Sequence, residues 1–301
     1  MNDKRNGKSE LKAILYAVVS LSAFSSGAVR AAAPVIFASD PVNGRVLEFD
    51  SSGNPTVFTT GLSPYGLAFD SAGNLYVADE TTDAILKYAP NGASLGTFAS
   101  TGTNNPRGIA FDPLGNLFVA ESNDTIHKYS STGADLGVFA SGLNNPVGIA
   151  VDQTGSVYVA NSDGGSIQKF TSDGSGSLFS GGLTNPFGLA FDSAGFLYVS
   201  NVNINEIFKF QSDGTFVSVY ADHNSGLTSP AGLTFDSAND LYVANNSSNL
   251  KAIEEITPGG SDTIFANART TFLASEIPEP GATGLLLSAL GTWMLRRRRK
   301  R

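Results

Sequence analysis

An all-β chain of six small antiparallel sheets set in a ring is the fold class this sequence predicts, and three observations predict it. The first is a repeat of near-constant period. The stretch from Asn105 to Ala120 recurs, with Pro in register, at Pro64, Pro146, Pro186 and Pro230, so successive units are 42, 40, 40 and 44 residues long. A period near forty marks a repeat architecture rather than an ordinary mixed domain. The second is the content of each unit: short apolar runs of strand length separated by turn residues. The third is that the two ends of the repeat region hold complementary fragments of one further unit.

In the unit that begins at Pro106, Gly108-Ile109-Ala110-Phe111 forms the first strand. Asp112-Pro113-Leu114-Gly115 follows as a tight turn, in which the Asp accepts backbone hydrogen bonds, Pro fixes φ and Gly supplies a positive φ. The equivalent turns open at Asp70, Asp152, Asp192 and Asp236, and these five acids are read as builders of the turn. The second strand is Leu117-Phe118-Val119-Ala120, the third carries Ile126-His127-Lys128-Tyr129, and the fourth ends near Phe139. Both faces of the strands are apolar, as a sheet packed between two neighbours requires. The first strand alternates large residues with Gly66/Ala68, Gly108/Ala110, Gly148/Ala150 and Gly188/Ala190, which fits a strand near a crowded central axis. Four-stranded sheets around an axis are the blades of a β-propeller.

Five units are complete. Ahead of them Val35-Ile36-Phe37-Ala38 aligns with Leu75–Ala78 and Val46–Phe49 with Ile85–Tyr88, so residues 35–61 supply strands two to four of a sixth blade. The β-prone run Thr270–Ala274 is expected to supply its missing first strand. Joining the two termini in one blade closes the ring and removes free sheet edges.

The motif Pro-x-Gly-Ile/Leu-Ala-Phe-Asp-x-x-Gly-Asn-Leu-Tyr-Val-Ala-Asp/Asn, over about residues 35–275, resembles the NHL repeat. It is also similar to the wider propeller group of gluconolactonase/regucalcin-like proteins and streptogramin lyases. One fold hosts many functions, so the resemblance speaks for architecture.

The ends read as addresses. Residues 1–33 resemble an export signal: Lys4, Arg5, Lys8 and Lys12 precede a mostly apolar run and a small-residue region, with cleavage expected after Ala28 or Ala31. At the other end Pro278-Glu279-Pro280 is followed by an apolar segment, Gly281–Leu295, and by six terminal cations, Arg296–Arg301. Fifteen apolar residues are marginal for a bilayer, although flanking Arg side chains can snorkel, and the cations should stay on the cytoplasmic side. This order of motif, apolar segment and Arg cluster resembles the PEP-CTERM sorting signal of Gram-negative bacteria. The resemblance implies processing by an exosortase and delivery to the cell surface or extracellular matrix, often beside exopolysaccharide production. The expected organisation is therefore a leader (1–33), a propeller (34–275) and a sorting tail (276–301) that anchors only transiently in the inner membrane; a monomer is expected.

There is no cysteine among 301 residues, which removes disulfides and thiolate chemistry, while 41% hydrophobic content is enough for a core. Between Ala31 and Leu295 only 8 Lys and Arg remain, whereas all but two of the 27 acids lie beyond the leader. So acidic a body disfavours nucleic acid and polyanionic polysaccharide as electrostatic partners. It suits divalent cations, or serves solubility alone.

Function is expected where the repeats differ, on the face shared by the strand 2–3 loops and the inter-blade loops. Two position sets point there. One follows Pro: Tyr65, Arg107, Val147, Phe187 and Ala231. The other ends strand two: Asp79, Glu121, Asn161, Asn201 and Asn245, with Asp40 nearby in the split blade. Together they would put carboxylates, amides, a guanidinium and aromatic rings around a channel mouth, ready for a glycan or protein ligand. Oxygen ligands suit a hard cation such as Ca²⁺. Regucalcin-like enzymes hold a metal with Glu and Asn/Asp at this place, so the resemblance implies Glu121, Asn161 and Asn201 as its ligands here. Of the two histidines, His127 occupies the third-strand slot of Leu86, Gln168, Phe208 and Glu254 and is read as a packing residue, while His223 falls in a loop. Two separated histidines do not supply the His-rich zinc site of NHL-type amidating lyases. No Ser-His-Asp set or phosphate-cradling Gly loop is evident. The leading expectation is a non-enzymatic surface or matrix binding protein; the alternative is a metal-dependent lactonase or lyase working at the channel mouth.

Overall fold

The computed structural model describes residues 35–275 except 103 and 248–250; the expected leader (1–33) and the motif Pro278-Glu279-Pro280 with its tail lie outside the described residues. Six four-stranded antiparallel sheets form, each in simple up-and-down order. Blade one joins Ile36–Asp40, Arg45–Phe49 and Pro55–Thr60 to the last strand, Leu273–Ser275. The inner strands of blades two to six are Pro64–Phe69, Pro106–Phe111, Pro146–Val151, Pro186–Phe191 and Pro230–Phe235. Each inner strand touches the next, and Leu273–Ser275 touches both Pro64–Phe69 and Pro230–Phe235, so the ring is closed. Among the described residues the only helices are two 3₁₀ turns, Val202–Ile204 and His223–Ser225, and none is long and apolar enough to cross a membrane.

The closing strand is three residues long, shorter than the expected Thr270–Ala274, although Thr271 N donates to Ser39 O and Ser39 N to Phe272 O, both at 2.9 Å. The first blade also departs from the expected alignment by one residue. Ile36–Asp40 pairs with Arg45–Phe49 as Leu75–Asp79 pairs with Ala84–Tyr88, so Ile36, and not Val35, matches Leu75. Strand side chains alternate with period two, and a slip of one exchanges the faces. Phe37 is thereby the counterpart of Tyr76, which the ring contacts support. Phe37 meets Phe58 and Phe69 at 5.1 and 5.0 Å, as Tyr76 meets Phe98 and Phe111, both at 4.8 Å.

These contacts repeat around the ring and explain how the blades hold together. The second-strand aromatic of one blade lies edge-on to the inner-strand Phe of the next in the pairs Tyr158–Phe191 and Tyr198–Phe235, at 5.0 and 4.8 Å. Edge-to-face pairs of this kind add about 0.5–1.5 kcal/mol each beyond the area they bury. The core is therefore a set of seams rather than one central mass: Tyr76, Ala78 and Ile85 of blade two pack on Ile109, Leu117, Val119 and Tyr129 of blade three.

The turn acids do what their pattern suggests. Asp192 Oδ1 accepts from the backbone N–H of Ala194 and Phe196, at 3.0 and 2.9 Å, while Oδ2 accepts from Tyr198 Oη at 3.0 Å. Asp152 binds Tyr158 Oη in the same way at 3.1 Å, and the hydrogen bonds around it outweigh the cost of burial and hold its carboxyl below the usual range. The opposite face carries the strand 2–3 turns and the inter-blade loops, tied by Glu80 N to Ser63 O at 3.0 Å and Ser162 N to Asn145 O at 3.0 Å.

Candidate functional site

The loop face is shaped by residues in left-handed conformations just before the inner-strand prolines: Asn105, Asn145, Asn185 and Ser229, with φ between 43° and 61°. Asn is among the side chains that tolerate this region. Their backbones are latched from the previous blade, Asn105 N by Asp83 Oδ1 at 3.0 Å and Asn145 N by Asp124 Oδ1 at 2.8 Å. Four of the five residues that follow the inner-strand prolines, Tyr65, Arg107, Val147 and Phe187, line one pocket, while Ala231 is buried outside it. Tyr65, Arg107 and Phe187 converge from three blades with Val147, Asn145, Asn185 and Ser162 on a pocket of about 290 Å³. Arg107 donates to Asn145 Oδ1, and Ser162 Oγ donates to Asn185 Oδ1 at 2.8 Å. Burial and the nearby Glu80 carboxylate raise the Tyr65 phenol above its ordinary pKa, against the pull of Arg107. The phenol is thus held neutral, a hydrogen-bonding rim group.

One residue of this site was not visible in the repeat pattern. Phe272 lies where Gly66, Gly108, Gly148, Gly188 and Gly232 lie in the other blades, since Thr271 O meets Gly232 as Ala231 O meets Gly188. Its ring sits 5.2 Å from Phe187 and 6.1 Å from Tyr65, and it also borders the axial channel of about 380 Å³. It is therefore a partition between mouth and channel. The signal was present, because aligning Thr270–Ser275 on Pro230–Phe235 sets Phe against Gly.

The second expected set does not line this pocket. Asp40, Asp79, Glu121, Asn161, Asn201 and Asn245 are all at most 3% exposed. Except in Glu121, their side-chain oxygens accept from the adjoining loops, while Asn201 Nδ2 is buried without a partner. Asp79 Oδ1 accepts from Ser63 N at 2.6 Å, Asn161 Oδ1 from Asn144 N at 3.2 Å, Asn201 Oδ1 from Thr184 N at 3.1 Å and Asn245 Oδ1 from Thr228 N at 3.0 Å. Asp40 Oδ2 accepts from Asn43 Nδ2 and Arg45 Nε, at 2.7 and 2.9 Å. The placement around the mouth is corrected accordingly: a buried backbone N–H must find an acceptor, and these side chains supply it. For the same reason Glu121, Asn161 and Asn201 do not fit a shared cation. The two amide oxygens already accept backbone N–H groups, and among the described residues no three acids or histidines converge as a metal-binding group.

Glu121 is the exception, and it brings in His127, which had been expected only to pack. The buried Glu121 carboxylate lies among Asn104 of the loop, Thr125 and His127. There Thr125 Oγ1 donates to Oε2 at 3.0 Å, and His127 Nδ1 lies 3.7 Å from the same oxygen. His127 Nε2 is 2.7 Å from Asp135 Oδ1, and its ring stacks on Tyr129 at 5.2 Å. With an N–H directed at Asp135, Nδ1 faces Oε2 as lone pair against lone pair unless one proton sits between them. Glu121 Oε1 and His127 Nδ1 are both buried without a hydrogen-bond partner. Burial accordingly raises the Glu121 pKa, with Thr125 and His127 opposing. Asp135 is lowered, first by the backbone N–H of Gly137 and then by His127.

Glu121→Gln is expected to stabilise the protein by about 1–2 kcal/mol at pH 7, because the buried charge goes and the new amide can donate to Nδ1. A raised carboxyl pKa favours the protonated form in the fold. The wild-type deficit should therefore be absent below the ordinary Glu pKa of about 4.5 and grow as pH rises through the raised value. Urea melts of both proteins between pH 4 and 8 measure this gap; a constant gap would remove the ionised Glu121 from the explanation.

A family model for the NHL repeat matches residues 143–170. None of the curated proteins matches by sequence. Solved structures match throughout the ring. A chain of a nidogen/laminin complex is 21% identical with a TM-score of 0.71, covering 81% of this chain and 98% of that one. A streptogramin B lyase is 17% identical with a TM-score of 0.62, covering 80% and 86%. A protein assigned as a gluconolactonase is 16% identical with a TM-score of 0.64, covering 81% and 91%. The class is thus a six-bladed, all-β propeller with one match to the NHL repeat, at residues 143–170. Its neighbours include a chain from a binding complex and enzymes, so likeness at this level defines the fold alone.

Proposed function

We propose that this chain is an exported, surface- or matrix-associated binding protein that holds a glycan or a partner protein at the propeller mouth. The observation that carries the reading is the chemistry of the pocket: Tyr65 and Phe187 rings backed by Phe272, one guanidinium, and amide and hydroxyl groups from Asn145, Asn185 and Ser162. Aromatic and Arg anchors are what binding sites concentrate. General acid–base work asks for a group that titrates near the operating pH, and Tyr65 is moved away from that range. The lactonase or lyase alternative, which needs a shared metal, finds two of its three expected ligands, Asn161 and Asn201, accepting backbone N–H groups, and the third, Glu121, turned to Thr125 and His127.

The course of the chain fits a displayed receptor. Each inner strand runs from the mouth, at its Pro, to the Asp-turn face, and Leu273–Ser275 runs the same way. A tail that began at residue 276 and entered a membrane would leave from the Asp-turn face, with the mouth turned outward. Exosortase processing would then release the protein with its ligand face unaltered. Phe187→Ala combined with Tyr65→Ala is expected to cut retention on the strongest ligand of a glycan and matrix-protein screen at least about tenfold, with little change in melting temperature. Unchanged retention by the folded double variant would refute the mouth as the binding site.

A further inference from the structure

We infer that the mouth pocket is selective for a single hexuronate residue within an otherwise neutral glycan, its carboxylate on Arg107 and its pyranose face against Tyr65 and Phe187; this rests on the binding function proposed above. Three observations converge on that class of ligand. First, among the described residues no carboxylate forms an ion pair with Arg107, although other cations of the body, such as Arg45, Lys87 and Lys209, have one. Asn145 Oδ1 takes one of the five N–H donors of the guanidinium, and the fork is suited to binding a carboxylate through two oxygens. The neighbouring acids are engaged otherwise, Glu80 with Asn105 Nδ2 at 3.2 Å and Asp124 with Asn145 N at 2.8 Å.

Second, Tyr65 and Phe187 border the same pocket, with the Phe272 ring packed against both. The electron-rich face of an aromatic ring attracts polarised C–H groups, which a pyranose carries on its flat sides. Ser162 holds the carbonyl of Asn185, so the amide end of Asn185 is the part that meets sugar hydroxyls. Third, size and charge limit the ligand to one charged ring. About 290 Å³ lies at the lower edge of the range for small-molecule sites. The body beyond the termini is strongly acidic, so each further carboxylate on the ligand would be repelled. At physiological salt charges separated by more than about 8 Å are largely screened, which lets one uronate respond to Arg107 rather than to the whole surface.

The test titrates the full chain with methyl glucuronoside, its neutral 6-methyl ester and methyl glucoside, followed by calorimetry or NMR shifts. The glucuronoside is expected to bind at least about tenfold more tightly than the ester, as a charge-assisted pair would produce. Arg107→Gln should erase that preference while leaving the ester and glucoside bound, and Tyr65→Ala should weaken all three. Melting curves of each variant establish that it is folded. Equal binding of glucuronoside and ester, with Tyr65→Ala still weakening both, would overturn the uronate assignment and leave the mouth as a glycan site. Absence of binding by all three sugars would overturn the uronate assignment and leave a partner protein as the ligand of the mouth, whereas sugar binding indifferent to Tyr65→Ala would place the site elsewhere and overturn both readings. A polyuronate that binds more tightly than the monosaccharide at physiological salt would overturn the single-residue limit.

Discussion

A chain ended after Arg269 is expected to lose cooperative folding, whereas one ended after Ser275 is expected to keep it. The six residues between them close the ring from a single short strand. Leu273 and Ala274 are buried in the two seams that blade one shares with its neighbours, Phe272 is buried against Tyr65 and Phe187, and Thr270 is fully buried. The backbone of this segment binds both sides: Thr271 N to Ser39 O at 2.9 Å, Phe272 N to Ser39 Oγ at 3.0 Å, and Gly232 N to Thr271 O at 2.8 Å. Ser275 Oγ donates to Phe235 O at 2.5 Å. Burying a Phe or Leu side chain is worth about 1.5–3 kcal/mol, and each net hydrogen bond about 1 kcal/mol. The sum is comparable with the whole stability of a typical domain, about 5–15 kcal/mol. Removal would also leave Ile36–Asp40 as an unpaired edge, open to association with other chains. Urea denaturation of the two truncated forms, with light scattering, reads the difference. Addition of a peptide spanning residues 268–277 should restore the transition in the shorter form, by strand addition at the vacant edge. Melting of the shorter form within a few degrees of the longer one would show that the ring does not depend on this closure.

What the sequence revealed and what it concealed divide along a physical line. The repeat, the Asp turns and the need for a completing strand are local signals, because alternation and turn chemistry act within a few residues. The burial of Asp79, Asn161, Asn201 and Asn245 is not local. A polar residue at the end of a strand looks solvent-facing until its partner, an N–H 16 or 17 residues upstream, is known. The pairing of Glu121 with His127 is a cross-strand diagonal. It follows from the register that sets His127 opposite Val119 and Thr125 opposite Glu121, which spacing along the chain does not specify. In blade one, Ile36-Phe37-Ala38 lacks the Tyr/Phe-Val-Ala/Ser pattern of the other second strands, so local signals leave its register open, and the pairing with Arg45–Phe49 and the Phe37 ring contacts fix it. The post-proline set fared differently. Tyr65, Arg107 and Phe187 come together because each follows the Pro that opens an inner strand, and the repeat itself carries that position.

Gly148→Ala is expected to destabilise the protein by at least about 3 kcal/mol, an unusually large effect for one added methyl group. The reason is the close approach of neighbouring inner strands. A Cβ at Gly148 would lie 1.8 Å from Phe187 O and 3.0 Å from its carbonyl carbon. Both are backbone atoms of a paired strand, so no rotamer change relieves the clash, and the blades must separate. The same contact recurs as Gly66 against Arg107 O at 2.3 Å and Gly108 against Val147 O at 2.2 Å. Splaying one seam therefore strains the rest of the ring. Gly195→Ala is the matched control. That turn glycine has φ of +84° and no atom within 4 Å of the added Cβ, so it should show only the conformational cost of a left-handed residue, about 1 kcal/mol. Because Phe187 lines the mouth, separation at Gly148 should also displace its ring and weaken ligand binding in whatever fraction remains folded. Gly195, at the opposite face, should leave binding unchanged. Chemical melts and ligand titrations of the two variants measure both effects. Equal destabilisation at the two sites would mean that backbone conformation, and not the packing of carbonyls against glycines, sets the spacing of the blades.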